Sequence, residues 1–259
     1  MKSPPQISKL RNSNKRSHDK STSADDFGAA ARYSKQQWAN FLEFVDSRSH
    51  TRCVFRGCGS VRHSCLPSIG RFDEYDQLQE IRLFHAFKRS ASLFLDRTPA
   101  NDWEWLALAQ HYGLPTRLLD WTSNPLVACF FAVASSPYDD DAVIYAHTIR
   151  DDEVIDPNVE HSPFEIQAVG FLLPAHTTAR IASQKGLFSV HPAPSEAWRP
   201  TGLNEARFVI QKAVRKRFRR RLFRLGIDPG HIRADLDGLC ETLRWRFEAG
   251  IGIGSTIIG

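Results

Sequence analysis

No run of eighteen apolar residues occurs anywhere in this chain of 259 residues, so no segment reads as a membrane-spanning helix. The N-terminus has no apolar core of the kind that drives secretion, and a cytoplasmic protein is expected. Cysteine is sparse and odd in number, at five; without an export signal the thiols are expected to be reduced. Cys53, Cys58 and Cys65 lie near His63, but their spacings match no zinc-ligand pair and no second pair follows. No metal site is expected. Residues 1–30 hold almost nothing that could be buried, which predicts a disordered basic tail. There is no internal repeat.

Enough remains for one sizeable domain. Apolar residues make up 42% and charged residues 24% of the chain, and a domain over residues 31–248 is expected, followed by a flexible Gly-rich tail at 249–259. The net charge of +5 is gathered in the first twenty residues and in 212–224, where eight Lys and Arg occur. Val214, Phe218, Leu222 and Leu225 fall at helical spacing within that basic segment, so it reads as a packed helix with a solvated outer face. Binding of nucleic acid by such a face is expected to be weak and non-specific, with Kd on the order of 10⁻⁵ M.

The densest apolar stretch is 102–134. Asn101 is placed to cap a helix with Glu104 as its reciprocal partner, and Gly113 sits where a helix ends in the left-handed conformation. Residues 116–121 then read as extended. Asn124 followed by Pro125 opens a second helix, and no polar residue appears from Leu126 to Ala134, which predicts burial on all sides. The hinge between them carries Asp120, Thr122 and Ser123. A buried helix points unpaired N–H groups and a positive dipole at such a hinge, which suits an anion such as phosphate; the same hydroxyls also serve as ordinary caps.

Further helices are expected over 35–47, 78–95 and 236–247, and strands over 53–57, 142–149, 187–190 and 207–210. Gly57 and Gly59 are expected to end the first strand, and Arg56 within it offers a rigid fork for a ligand. His111 stands at a helix C-terminus, where it acts as a cap or in chemistry. Arg117 and Asp120 form either a structural ion pair or part of a site. Asp120 follows Leu118 and Leu119 and is expected to be partly buried against Arg56 or Arg117.

Phe55-Arg56-Gly57, Leu66-Pro67-Ser68 with Gly70-Arg71, and the run 110–122 (QHYGLPTRLLDWT) resemble the FRG domain, named for its aromatic-Arg-Gly motif. The run 180–188 is similar to a third motif of that family, and Leu225-Gly226-Ile227 with 235–239 to its closing helix region. The resemblance covers about residues 35–245. It implies an α+β domain with a small, mainly antiparallel split sheet surrounded by helices, reminiscent of ADP-ribosyltransferases and of bacterial or phage conflict and toxin systems. Carried over by position, Arg56, Thr122 and Ser123 would bind NAD, and Gln184 would stand at a catalytic position. The residues themselves add Gly57 and Arg117 as further binding candidates and His111 and Asp120, with Arg56, as candidates for catalysis, with a protein as possible acceptor. Gln184 stands where a transferase has glutamate. A glutamine can bond a ribose hydroxyl, but it supplies no carboxylate. A non-catalytic nucleotide-sensing or nucleic-acid-binding module is the alternative.

Overall fold

The computed structural model describes residues 21–48, 52–134, 139–174, 184–203 and 205–251, with side chains from residue 28 onward. Most of the expected N-terminal tail, the helical turn expected within 177–181, the first part of the motif at 180–188, and residues 252–259 lie outside the described residues. No helix among those described is long and apolar enough to cross a membrane.

The elements run α1 (Ser21–Asp46), β1 (Cys53–Cys58), α2 (Gln77–Ala91), α3 (Asp102–His111), β2 (Leu118–Thr122), α4 (Pro125–Ala134), β3 (Ala142–Thr148), β4 (Gly170–Leu172), β5 (Gly186–Val190), β6 (Arg207–Ile210), α5 (Lys212–Arg224), α6 (Pro229–Arg233) and α7 (Leu236–Glu248). The domain is therefore α+β, and among the described residues six strands form one sheet in the order β4-β5-β2-β1-β3-β6, every neighbouring pair antiparallel. The pairing is uneven. β1 matches β3 over six positions and β2 matches β5 over five, but β1 and β2 meet only at Phe55 and Thr122. The sheet is continuous, with an opening seam at its centre.

Strand alternation sorts the side chains onto two faces. Phe55, Ile144, Ala146 and Ile210 lie on one face under α1, α4 and α5. Leu118, Leu172, Phe188 and Val190 lie on that same face under α2 and α3, against Phe84, Trp103 and Leu106. Val54, Leu119, Trp121, Tyr145 and Phe171 point the other way, beneath loops that supply Cys65, Trp198 and Leu203. Two groups of helices thus share one face of the sheet and part above the seam.

The local signals around the seam act as the sequence predicts. Glu104 N–H donates to Asn101 Oδ1 at 2.9 Å, and Leu126 N–H donates to Asn124 Oδ1 at 3.0 Å; the Glu104 carboxylate reaches one residue further back than expected and accepts from Ala100 N–H at 2.9 Å. Gly113 has φ +83. The Asp235 cap of α7 is also present, accepting from Gly238 N–H at 2.7 Å.

Several expectations give way to packing. α1 begins at Ser21, within the stretch expected to be a tail. Gly57 does not end β1; it pairs with Ile144 in the ladder. A Cβ on Gly57 would lie 1.8 Å from the Ala128 carbonyl oxygen, so this glycine lets α4 lie directly on the strand. α4 is not buried on every side, because Phe131 is 36% exposed. In α5, Val214, Phe218 and Leu222 are buried but Leu225 is exposed. Arg215 does not belong to the solvated face. It is buried, and donates to the carbonyls of Gly59, Asp140 and Ala132 at 2.9 Å each.

Candidate functional site

A cleft of about 280 Å³ opens where the two helix groups part above the β1–β2 seam. Phe55, Asp120, Thr122 and Phe188 come from the helix-covered face of the sheet, Gln110 and His111 from the end of α3, Phe131 from α4, and Gln184 from two residues before β5. Arg56 and Gly57 line it as well. Residues far apart in sequence therefore converge, and Arg56, Thr122 and Gln184 border one space.

Asp120 is exposed, not buried. On a strand whose neighbours Leu119 and Trp121 face the loop layer, position 120 faces the cleft, and that is why an aspartate follows two leucines. Its carboxylate accepts from Gln110 Nε2 at 3.0 Å through Oδ2. Gln110 is held in turn by the Thr116 hydroxyl, which donates to its Oε1 at 2.6 Å and accepts from Leu118 N–H at 3.1 Å. The relay Thr116–Gln110–Asp120 fixes the carboxylate at the cleft. Among the described residues Asp120 is the one carboxylate lining this space. Gln110 was not singled out by sequence; its place inside the run 110–122 was the available signal.

The expected partners of Asp120 are engaged elsewhere. Arg117 is fully buried and bidentate to Glu80, Nε to Oε1 at 3.0 Å and Nη2 to Oε2 at 2.7 Å. It also donates to the Pro163 carbonyl and lies over the Phe164 ring. Arg117 is absent from the cleft lining, and its ion pair ties α2 to the approach to β2. Arg56 donates through Nη1 to the main-chain carbonyl of Asp120 at 2.7 Å. That carbonyl faces the stretch of seam where the β1–β2 ladder is missing, so the arginine supplies the donor the strand does not. Its charge also reaches the loop-covered face. Burial, followed by the charges of Arg56 and Arg117, pushes the His191 imidazole down to about 3. Cys65 is pushed up to about 11 by burial, with Arg56 opposing. Arg56 Nε is buried with no hydrogen-bond partner among the described residues.

The hinge donors are already used. Ser123 N–H donates to the Lys185 carbonyl, Asn124 N–H to Thr122 Oγ1, Leu126 N–H to Asn124 Oδ1 and Val127 N–H to the Asn124 carbonyl. Pro125 has no N–H. The helix N-terminus is therefore capped by its own side chains, and an anion would have to displace one of them. The Thr122 hydroxyl also donates to the Gln184 carbonyl at 2.6 Å, which joins the hinge to the start of β5. Ser123 is exposed and lines a separate groove with Arg52, Val154 and Lys185. Gln184 Nε2 donates to the Ile232 carbonyl in α6 at 2.9 Å. His111 stacks edge-on to Tyr112 at the cleft rim.

Of the thiols considered for zinc, two lie in one buried cluster and the third apart from them. Cys58 and Cys65 are buried in the core beneath the loops, and Cys53 is half-buried. No three His, Cys, Asp or Glu side chains among the described residues gather as a metal-ligand set.

The cleft thus offers aromatic walls from Phe55, Phe131 and Phe188, an oriented carboxylate, an amide and a seam arginine. In comparisons with known proteins, a model of the FRG domain matches residues 51–141. No curated protein and no solved structure matches the chain.

Proposed function

Since the chain carries an FRG domain over residues 51–141, we propose that the cleft above the seam binds a nucleotide, with NAD as the ligand, and that the protein is ADP-ribosyltransferase-like, of the kind used in bacterial or phage conflict. The observation that carries this reading is the convergence of Arg56, Asp120, Thr122 and Gln184 with three phenylalanines at one opening of the sheet. Phe131 and Phe188 offer faces for a ring. A space of about 280 Å³ sits at the small end of ligand pockets, so it suits one nucleoside half of a dinucleotide. The self-capped α4 N-terminus argues against a pyrophosphate at the hinge and favours the nicotinamide-ribose half in the cleft.

Breaking an N-glycosidic bond builds positive charge on the ribose. Gln184 cannot offset that charge, but the Asp120 carboxylate can, and Gln110 holds it in place. In this reading Asp120 takes the role that a glutamate would otherwise have. Release of labelled nicotinamide from NAD tests it. Wild type should release label, and Asp120→Asn should lower the rate by about 100-fold or more with an unchanged melting temperature. Saturable NAD binding with no release would favour the non-catalytic reading. The tie between the Gln184 amide and the Ile232 carbonyl supports that alternative, because it holds Gln184 as part of the frame.

A further inference from the structure

Helix α7 is inverted relative to an ordinary surface helix, whose apolar stripe faces inward. Its inner face is made of Gly238, Thr242 and Trp245. A Cβ on Gly238 would lie 2.5 Å from the Pro229 carbonyl oxygen, and Thr242 Oγ1 accepts from Gly230 N–H at 2.9 Å. Trp245 packs on Phe223, with Arg219 over its ring. The outer face carries Leu236, Leu239, Leu243 and Phe247, which are 73%, 49%, 38% and 78% exposed. Steps of three and four residues place them on one stripe, with the exposed Cys240 at its middle.

We infer that this stripe is a self-association surface, on which α7 packs antiparallel against α7 of a second copy of the chain. Three features select that occupant. A stripe with a leucine at one end and a phenylalanine at the other is self-complementary under a two-fold axis, as a closed dimer requires. Asp237 and Arg244 lie two turns apart on one flank of the stripe. Both are exposed, and neither makes an ion pair or hydrogen bond among the described residues. Antiparallel packing sets Asp237 of each copy beside Arg244 of the other, twice, and opposes the helix dipoles favourably; in parallel packing the two-fold axis puts these flanks on opposite sides of the seam, and neither pair forms. The four side chains present on the order of 400 Å² of apolar surface, the size of a patch that usually has a role. Doubled, this lies below the roughly 1,200 Å² of a standard interface, so the dimer is reversible and forms in the micromolar range.

Sedimentation of the full chain from about 1 to 200 µM tests the inference, together with cross-linking by a short bismaleimide at Cys240. The mass should rise towards that of a dimer, and cross-linking should be lost in Cys240→Ser. Leu239→Lys with Leu243→Lys, both at exposed positions, should stay monomeric with unchanged melting. Asp237→Arg should weaken the dimer several-fold, and Asp237→Arg with Arg244→Asp should restore it. A wild type that is monomeric at 200 µM would overturn the inference, as would a dimer indifferent to the two lysines. So would a chain ending at Ile251 that dimerises while the full chain does not, because residues 252–259 would then be what covers the stripe.

Discussion

Asp120 and Arg117 stand three residues apart and divide the work of the central motif. The arginine carries structure and the aspartate faces the cleft. Removing Glu80 or Arg117 would strand its partner in the core, at a cost of roughly 3–5 kcal/mol. Asp120→Asn removes no buried partner and should change stability by about 1 kcal/mol or less. Urea melts of Glu80→Gln and Asp120→Asn check this contrast, and equal losses would contradict it. His191 provides a second test. It is buried beside Ser189, sharing a hydrogen bond at 2.8 Å, and its pKa lies at about 3, below its ordinary value of 6.5. The unfolded chain takes up this proton first as the pH falls. The stability contributed by neutral His191 is therefore complete above about 6.5 and declines below it, by up to about 1.4 kcal/mol per pH unit. His191→Gln should flatten the slope between pH 6.5 and 5 by that one proton. At this scale the sequence showed which residues to single out but not what they touch. Glu80 lies 37 positions from Arg117, and nothing local marks that pairing.

At the scale of elements, the caps and breakers were legible because they act within a few residues. Asn101, Gly113, Asn124 and Asp235 each do what their positions suggest. The elements that escaped, β4 with three residues and α6 with five, are too short to show periodicity. Gly57 looked like a breaker because glycine disfavours strands; the cause of its presence lies across space, in the α4 backbone at Ala128. Gly57→Ala should therefore force α4 off β1, cost about 3 kcal/mol or more and distort the cleft, whereas an alanine at a merely permissive strand glycine would be tolerated or stabilising. Circular dichroism melts separate these outcomes. In α5, the amphipathic stripe was readable but the burial of Arg215 was not, because its partners are carbonyls of β1's exit loop, α4 and the turn before β3. Arg217, Arg219, Arg220 and Arg221 sit against aromatic rings, carbonyls along α1 or the carbonyl at the end of α7. Duplex DNA binding should accordingly stay near 10⁻⁵ M at physiological salt; nanomolar binding in a salt titration would make α5 a recognition element.

For the whole molecule, the sheet order could not be read from the sequence, since β2 pairs with β1 and β5 through long-range contacts. The order β4-β5-β2-β1-β3-β6 places the two motif strands side by side, and their single shared position creates the opening that the helices flank. The cleft is thus a consequence of topology: strong pairing on the outer sides of β1 and β2, weak pairing between them, and two helix groups anchored on either half. The central claim is that this opening receives NAD. Calorimetric titration of NAD into wild type and Phe131→Ala tests it most directly, because Phe131 stands exposed at the cleft wall and its loss should spare the fold. The account predicts saturable binding to wild type with Kd between roughly 1 µM and 1 mM, weakened about three- to tenfold in Phe131→Ala. No binding to wild type at millimolar NAD, or equal binding to both proteins, would contradict it.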